Sequence, residues 1–329
     1  MIAAEKCDNA ISLSERVRLQ YNRVALMERH TSSTVTLQNS ITDVVGLGLN
    51  AMDTLCVVRR FPTPNSKTPL NEIRVEPGGQ VATALTTCSR LGLKARYIGS
   101  VGTDEWGKAQ LASLAAEQLE LCVRQVEGAL SQAAVILLEE GVGERTILWR
   151  RDPRLIYPAE QLRRESIVNA RILHLDGCDS AAALQAARWA REARIPVTID
   201  IDELYDETTH EVLRTVDYLI ASSDFADDPR ELHDRYGCRV VGITRGAEGA
   251  IFFENGRLMK STAFRVPVVD TTGAGDVFHG AFIYGLLQNW VLDDVIRFSH
   301  AVAAMKCMQM GARRGIPTLG AVQEFLRRN

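Results

Sequence analysis

From Thr42 onward the chain alternates short β-branched or apolar runs with longer helical patterns, and this alternation narrows its fold more than any other feature. Strands are expected at 44–49, 95–99, 171–175, 197–201, 218–221 and 240–244. Helices are expected at 81–91, 106–116, 181–193, 277–287 and 295–308. A strand followed by a helix, repeated this often, builds a doubly wound, mainly parallel α/β sheet with helices on both faces. The 329 residues suit one large domain, with residues 1–41 expected to be an extension outside it and Met27 an alternative start.

Two stretches interrupt the alternation with β-rich sequence on both sides of a turn. One runs over 55–77, punctuated by Pro62, Pro64 and Pro69, and the other over 131–150, folded about Glu140-Gly141-Val142-Gly143. Both leave from places where main strands end. Segments 50–77 and 131–151 are therefore expected to pair into a small β-sheet lid over the strand tips, within a domain spanning 42–329.

The segment richest in chemistry is Asp270-Thr271-Thr272-Gly273-Ala274-Gly275-Asp276, followed by the apolar helical run Val277, Phe278, Ala281, Phe282 and Leu286. Small residues opening a helix let backbone N–H groups approach an anion, and the helix dipole adds partial positive charge there. A carboxylate in the first turn, Asp276, then stands where it can take a proton from an attacking alcohol. Read without other information, Asp270 or Thr272 would simply cap the helix.

Those seven residues resemble the second signature of the ribokinase-like (PfkB) carbohydrate kinases over their whole length. The resemblance continues in Gly78-Gly79-Gln80-Val81-Ala82-Thr83-Ala84 with Arg90-Leu91-Gly92, in Gly99 to Gly107, and in Gly46-Leu47-Gly48-Leu49-Asn50-Ala51-Met52-Asp53. It covers about 42–317 and implies a ribokinase-like fold. It also implies ATP-dependent phosphorylation of a sugar hydroxyl, with Asp276 as base and the amides of Gly273, Ala274 and Gly275 as anion hole. By the same resemblance Asp53, Gly78, Gly79, Gln80 and Thr83 face the substrate. Many relatives carry Asn where Thr83 stands, so sugar identity is open. The tilt is toward a keto- or acid-bearing sugar, and a kinase of a nucleoside or other non-sugar alcohol, or a non-catalytic sugar sensor, are the alternatives.

For the nucleotide, Gly242 to Gly249 resembles the strand and turn in which Thr244, Gly246 and Gly249 meet ATP phosphates, and Phe298 to Ala304 the helix that sets His300 against adenine. The cofactors implied are ATP and Mg²⁺. Ser222 and Phe225 stand where many relatives hold Asn and Glu around Mg²⁺, with Asp224 between them as a substitute. Gly311 to Pro317 is similar to a loop that in some members helps Asp270 and Thr272 hold a monovalent cation, K⁺. Arg145, Arg150 and Arg151 lie on or just beyond the second lid hairpin, a position that the resemblance implies can face the substrate, and Arg150 or Arg151 is expected to grip an anionic group in a bidentate fork.

Composition removes other classes. With net charge −3 and no Lys/Arg blocks, the chain has no electrostatic footprint for nucleic acid or an anionic membrane. No apolar run nears the roughly 18 residues that span a bilayer. Seven cysteines without a C-x-x-C pair or leader read as reduced thiols of a cytoplasmic protein. Gly46-x-Gly48-x-x-Ala51 fits a loose dinucleotide fingerprint, but a β-like stretch and prolines follow where a helix is required. The lid's apolar strands, including Val57 and Ile136, would be costly in water, so a homodimer formed lid to lid is expected.

Overall fold

The computed structural model describes residues 41–140 and 145–329. The expected extension at 1–41, apart from its last residue, and the turn at Gly141 and Gly143 lie outside the described residues.

The main sheet has nine strands in the order β13-β12-β11-β10-β9-β8-β1-β4-β5. Seven are parallel: β1 (Thr42–Leu47), β4 (Ala95–Gly102), β5 (Glu120–Val126), β8 (Ala170–Leu175), β9 (Val197–Ile201), β10 (Tyr218–Ser222) and β11 (Val240–Thr244). An antiparallel pair, β12 (Ala250–Glu254) and β13 (Arg257–Ser261), closes one edge. The inner strands are buried along almost their whole length because helices cover both faces, as parallel sheets require; they are rich in Val, Ile and Leu, with buried polar exceptions at His174, Thr198 and Asp200. On one face, α4 (Ser180–Glu192), α5 (Glu207–Leu213) and α6 (Pro229–Tyr236) follow a short α3 (Arg164–Val168) and cover a core that includes Leu173, Ile199, Leu219 and Val241. On the other, α1 (Gln80–Arg90), α7 (Ala274–Leu287), α8 (Leu292–Cys307) and α9 (Leu319–Arg328) bury Val44, Leu85, Ala281 and Val302. Between them in sequence, α2 (Glu105–Ala116) is capped by Asp104, whose carboxylate accepts from the Gly107 amide.

A separate four-stranded sheet, in the order β3-β2-β6-β7, forms the lid from β2 (Ala51–Val58), β3 (Glu72–Gly78), β6 (Ala133–Glu139) and β7 (Arg145–Arg150). A strand, not a helix, thus follows Gly46-x-Gly48, and the dinucleotide reading lacks its helix end.

Register fixes the lid's two faces. Asp53 lies opposite Ala134, which lies opposite Trp149, and Leu55, Ile136 and Ile147 form the next row on the same face. Leu55 and Ile136 are buried with Met310 packed against them, so this face looks inward. The opposite face carries Val75, Thr54, Val135 and Leu148 in one row, with Ile73 beyond. One expectation is corrected here: Val57 and Ile136 are buried within the chain, and the exposed apolar residues of the outer face are Ile73, Val75, Val135 and Leu148. The period of two in a strand turns neighbours to opposite faces, so Val135 is exposed while Ile136 is not.

Candidate active site

The candidate site lies where the parallel strands end. Just past or at their C-terminal ends stand Gly48 (β1), Asp176 (β8), Asp200 and Asp202 (β9), Ser222 (β10) and Thr244 (β11), the crevice in which open α/β sheets bind ligands. Helix α7 aims its N-terminus at the same place.

The tip of α7 is shaped by its glycines. Gly273, the N-cap, has φ 74°, and a Cβ there would press on Ala312 at 2.8 Å. The amide of Ala274 donates to the Thr271 carbonyl at 3.1 Å, and that of Val277 to Gly273 at 3.0 Å. The N–H groups of Gly275 and Asp276 fall between these bonds, among the helix-opening donors that have no intrahelical acceptor. Gly275 is exposed, and nothing lies within 4 Å of where its Cβ would be. Of the three amides expected to form the anion hole, Ala274's is therefore engaged locally, and Asp276's own N–H joins that of Gly275 at the open tip.

Asp276 is half-buried beside that tip. Burial pushes its carboxyl well above the ordinary carboxylate range; the negative charges of Asp200, Asp202 and Asp53 push the same way, and Arg145 opposes them. Asp202 is itself raised to about 6, by burial first and then by Asp200. Asp200 is held low despite its burial, because His279, one turn along α7, pairs with it at 3.1 Å. Behind it, burial drives His174 down to about 3, a neutral ring hydrogen-bonded to Thr198 at 2.9 Å. A basic carboxylate is thus set among other acids, with His279 and His174 behind them.

At the other end of the cleft, Gly78 and Gly79 are required by close approach. A Cβ on Gly78 would overlap the Asp53 carboxylate, and one on Gly79, at φ 90°, would meet the Asn50 Cα at 2.6 Å. The turn is tied down further by the Ala82 amide, which donates to the Leu49 carbonyl at 3.1 Å. Asp53 is buried and raised to about 6, first by desolvation, against the pull of Arg313. Gln80 reaches Asp202 at 3.2 Å.

Sequence reasoning missed Arg313. It is 3% exposed, donates to Thr83 Oγ1 at 3.2 Å, to Asn50 Oδ1 at 2.9 Å and to the Gly78 carbonyl, and reaches Ser113 at 3.4 Å. Thr83, fully buried, spends its hydroxyl on this guanidinium. The signal was present in Gly311-Ala312-Arg313-Arg314, but only the fold shows which arginine turns inward.

The lid arginines separate. Arg150 lies opposite Ala133 and Met52, on the face away from Asp53. Arg151 is locked to the buried Asp179 at 2.7 Å and to the Leu155 carbonyl. Neither of these two is therefore placed to grip a substrate as expected, and the lid arginine that turns toward the cleft is Arg145. It shares the inner face, reaches Thr271 Oγ1 at 2.9 Å and bears on the charge of Asp276.

Among the nucleotide candidates, Thr244 donates to the Ala221 carbonyl at 3.3 Å, and Gly246 (φ 54°) is open, with nothing within 4 Å of a Cβ. Gly249, at φ 94°, is forced by the Ser261 carbonyl against which a Cβ would collide. His300 is buried edge-on to Phe278 at 5.1 Å and is pushed down to about 4 by burial, with Nε2 unpartnered among the described residues. The Ser222 hydroxyl is likewise buried without a partner, Asp224 is exposed, and Phe225 packs on the core. Mg²⁺ takes few protein ligands beside phosphates and waters, and the unpartnered Ser222 hydroxyl is the polar group this stretch leaves available to such a largely phosphate-held ion.

Comparison with known proteins identifies the family. Residues 41–319 match the model of the pfkB family carbohydrate kinases. A ribokinase of Haemophilus influenzae is 27% identical over 302 residues, which cover 85% of this chain and 97% of that one. A 5-dehydro-2-deoxygluconokinase of Clostridium botulinum is 26% identical over 318 residues, with coverage of 87% and 93%. The solved structure of an Arabidopsis thaliana ribokinase complexed with ribose and ATP shares the fold, with TM-score 0.73, 21% identity, and coverage of 88% and 99%. The match over nearly all of 41–329, on a parallel sheet with a separate β-lid, shows that the chain belongs to the pfkB family of carbohydrate kinases.

Proposed function

We propose that this kinase transfers the γ-phosphoryl group of ATP to a hydroxyl, primary in the simplest case, of a sugar or sugar acid, with Asp276 as general base. The observation that carries the reading is the raised, half-buried Asp276 carboxylate beside the open amides at the tip of α7. The sugar lies between Asp53, the Gly78-Gly79-Gln80 turn and the tip of α7, and the ATP phosphates run from Gly246 to Gly275. Asp276 takes the hydroxyl proton as the new O–P bond forms in line with the breaking bond to ADP. Charge on the transferring group is met by the Gly275 and Asp276 N–H groups, the helix dipole and Arg145. Mg²⁺, when bound, neutralises phosphate charge and orients the leaving group. Closure of the lid excludes water that would otherwise hydrolyse ATP.

Arg145 lies against the phosphate end, and its partners Thr271 and Asp276 belong to the transfer machinery, so it supports the reaction more directly than substrate choice. Incubation with ATP, Mg²⁺ and a panel of sugars, sugar acids and nucleosides, read by mass spectrometry, tests the reading. A product heavier by one phosphoryl group from a sugar or sugar acid supports it. Phosphorylation of nucleosides alone moves the substrate class, and ATP binding without any product favours a sensor. A lid-to-lid homodimer through Ile73, Val75, Val135 and Leu148 belongs to the same proposal; a monomer by light scattering contradicts it.

A further inference from the structure

Lys306, the penultimate residue of α8, is completely buried, an unusual place for an ammonium group unless its charge is answered. Its Nζ donates to the backbone carbonyl of Asp270 at 2.9 Å. Burial pulls its pKa down; the charges of Asp270, Cys307 and Asp276 hold it up, and Arg145 works against it. Around this contact the loop that precedes α7 is stitched to the end of α8. The amides of Val269 and Asp270 donate to the Cys307 carbonyl at 2.8 and 3.2 Å, and the Asp270 carboxylate accepts from Thr272 at 2.8 Å and from Gly311 at 2.8 Å. The lysine therefore places a tethered positive charge under the loop that presents the anion hole.

This bears on the monovalent cation expected at Asp270 and Thr272. The residues do not fit it: the Asp270 carbonyl, an oxygen such an ion would need, already accepts from the ammonium, and a second cation there would face a like charge at close range. The buried Thr272 hydroxyl has no hydrogen-bond partner among the described residues and is the acceptor a diffusible ion would still find. We propose that Lys306 is a built-in replacement for that ion, a positioning residue whose ammonium holds the 270–276 loop and supplies its charge, so that the enzyme works without K⁺. The idea deepens the kinase reading and rests on it for its rate arm only.

The test compares wild type and Lys306→Ala in K⁺, Na⁺ and tetramethylammonium at one ionic strength with Mg²⁺ constant. Wild type is expected to show the same melting temperature in all three salts, and phosphotransfer rates that agree within about twofold. Lys306→Ala is expected to lose at least tenfold in kcat in tetramethylammonium, with smaller change in the KM for sugar, and to regain much of it in K⁺. Its melting temperature is expected to rise in K⁺, which wild type's does not. Activation or stabilisation of wild type by K⁺ overturns the proposal, as does a variant that K⁺ fails to rescue or that never needed rescue. Should Lys306→Ala not fold, the wild-type salt comparison decides alone. The melting arm needs no turnover, so it stands whether or not a sugar substrate is found.

Discussion

The two ends of the cleft are built in opposite ways. At the end proposed to hold the phosphates one continuous segment, 270–276, supplies the turn, the open amides and the carboxylate, and strand or helix ends merely brace it. At the end proposed to hold the sugar nothing is continuous: Asp53 comes from β2, Gly78 from the last residue of β3 and Gly79 from the turn into α1, and Arg313 from beyond α8 reaches across to hold Asn50, Thr83 and the Gly78 carbonyl together. A phosphoryl group is the same in every reaction of this type, so its cradle can be one local device. A sugar must be matched hydroxyl by hydroxyl, and that surface is assembled from distant residues.

If this contrast is right, damage at the phosphate end abolishes turnover while leaving the fold intact. Gly275→Val fills the open space at the tip of α7, where nothing beyond its own helical turn lies within 4 Å of the added Cβ. It is expected to lower kcat by about 10²–10³, the loss typical of an oxyanion-type donor site, with an unchanged melting temperature. At the sugar end the same scale of damage registers as stability. Arg313→Ala strips a buried cation from Asp53 and from its buried acceptors, and denaturant titration is expected to show a loss of about 3–5 kcal/mol. Without that cation the Asp53 pKa rises further, so the KM for sugar worsens more than kcat does.

The smallest expected effect sharpens the electrostatic account. Asp276 must be ionised to act, so kcat/KM is expected to rise with pH through its elevated pKa. Asp202 is one of the negative charges that elevate it. Asp202→Asn removes that charge, lowers the Asp276 pKa, and should move the acid limb of the pH profile to lower pH. A limb that stays in place or moves upward contradicts the role given to Asp202.

The same contrast explains what the sequence disclosed. The inner strands β8 to β11 and helices α1, α4, α7 and α8 were legible to within a few residues, because buried apolar runs and 3.6-residue periodicity are local signals. β5, Glu-Leu-Cys-Val-Arg-Gln-Val, escaped notice because an edge strand with one open side carries charges at intervals. β12 and β13 were missed as a short antiparallel appendix, and α5, α6 and α9 as short polar helices. In the site, Asp276 and its glycines could be read directly. Lys306 could have been suspected, since it falls four residues after Val302 on a stripe with Val295 and Phe298. The contact of His279 with Asp200 could not, for it joins residues 79 apart in sequence whose meeting only the finished sheet arranges. Arg145 and Arg150 show the limit at its finest: both lie on one strand, and only the pairing register tells which faces the cleft.

Single-turnover phosphotransfer by Asp276→Asn, with ATP affinity measured in parallel by calorimetry, tests proton removal by this carboxylate most directly. A drop in rate of about 10²–10⁴, with ATP binding kept and the rise with pH abolished, is the predicted outcome. A variant that transfers phosphate at close to the wild-type rate would show that the helix tip works without its carboxylate.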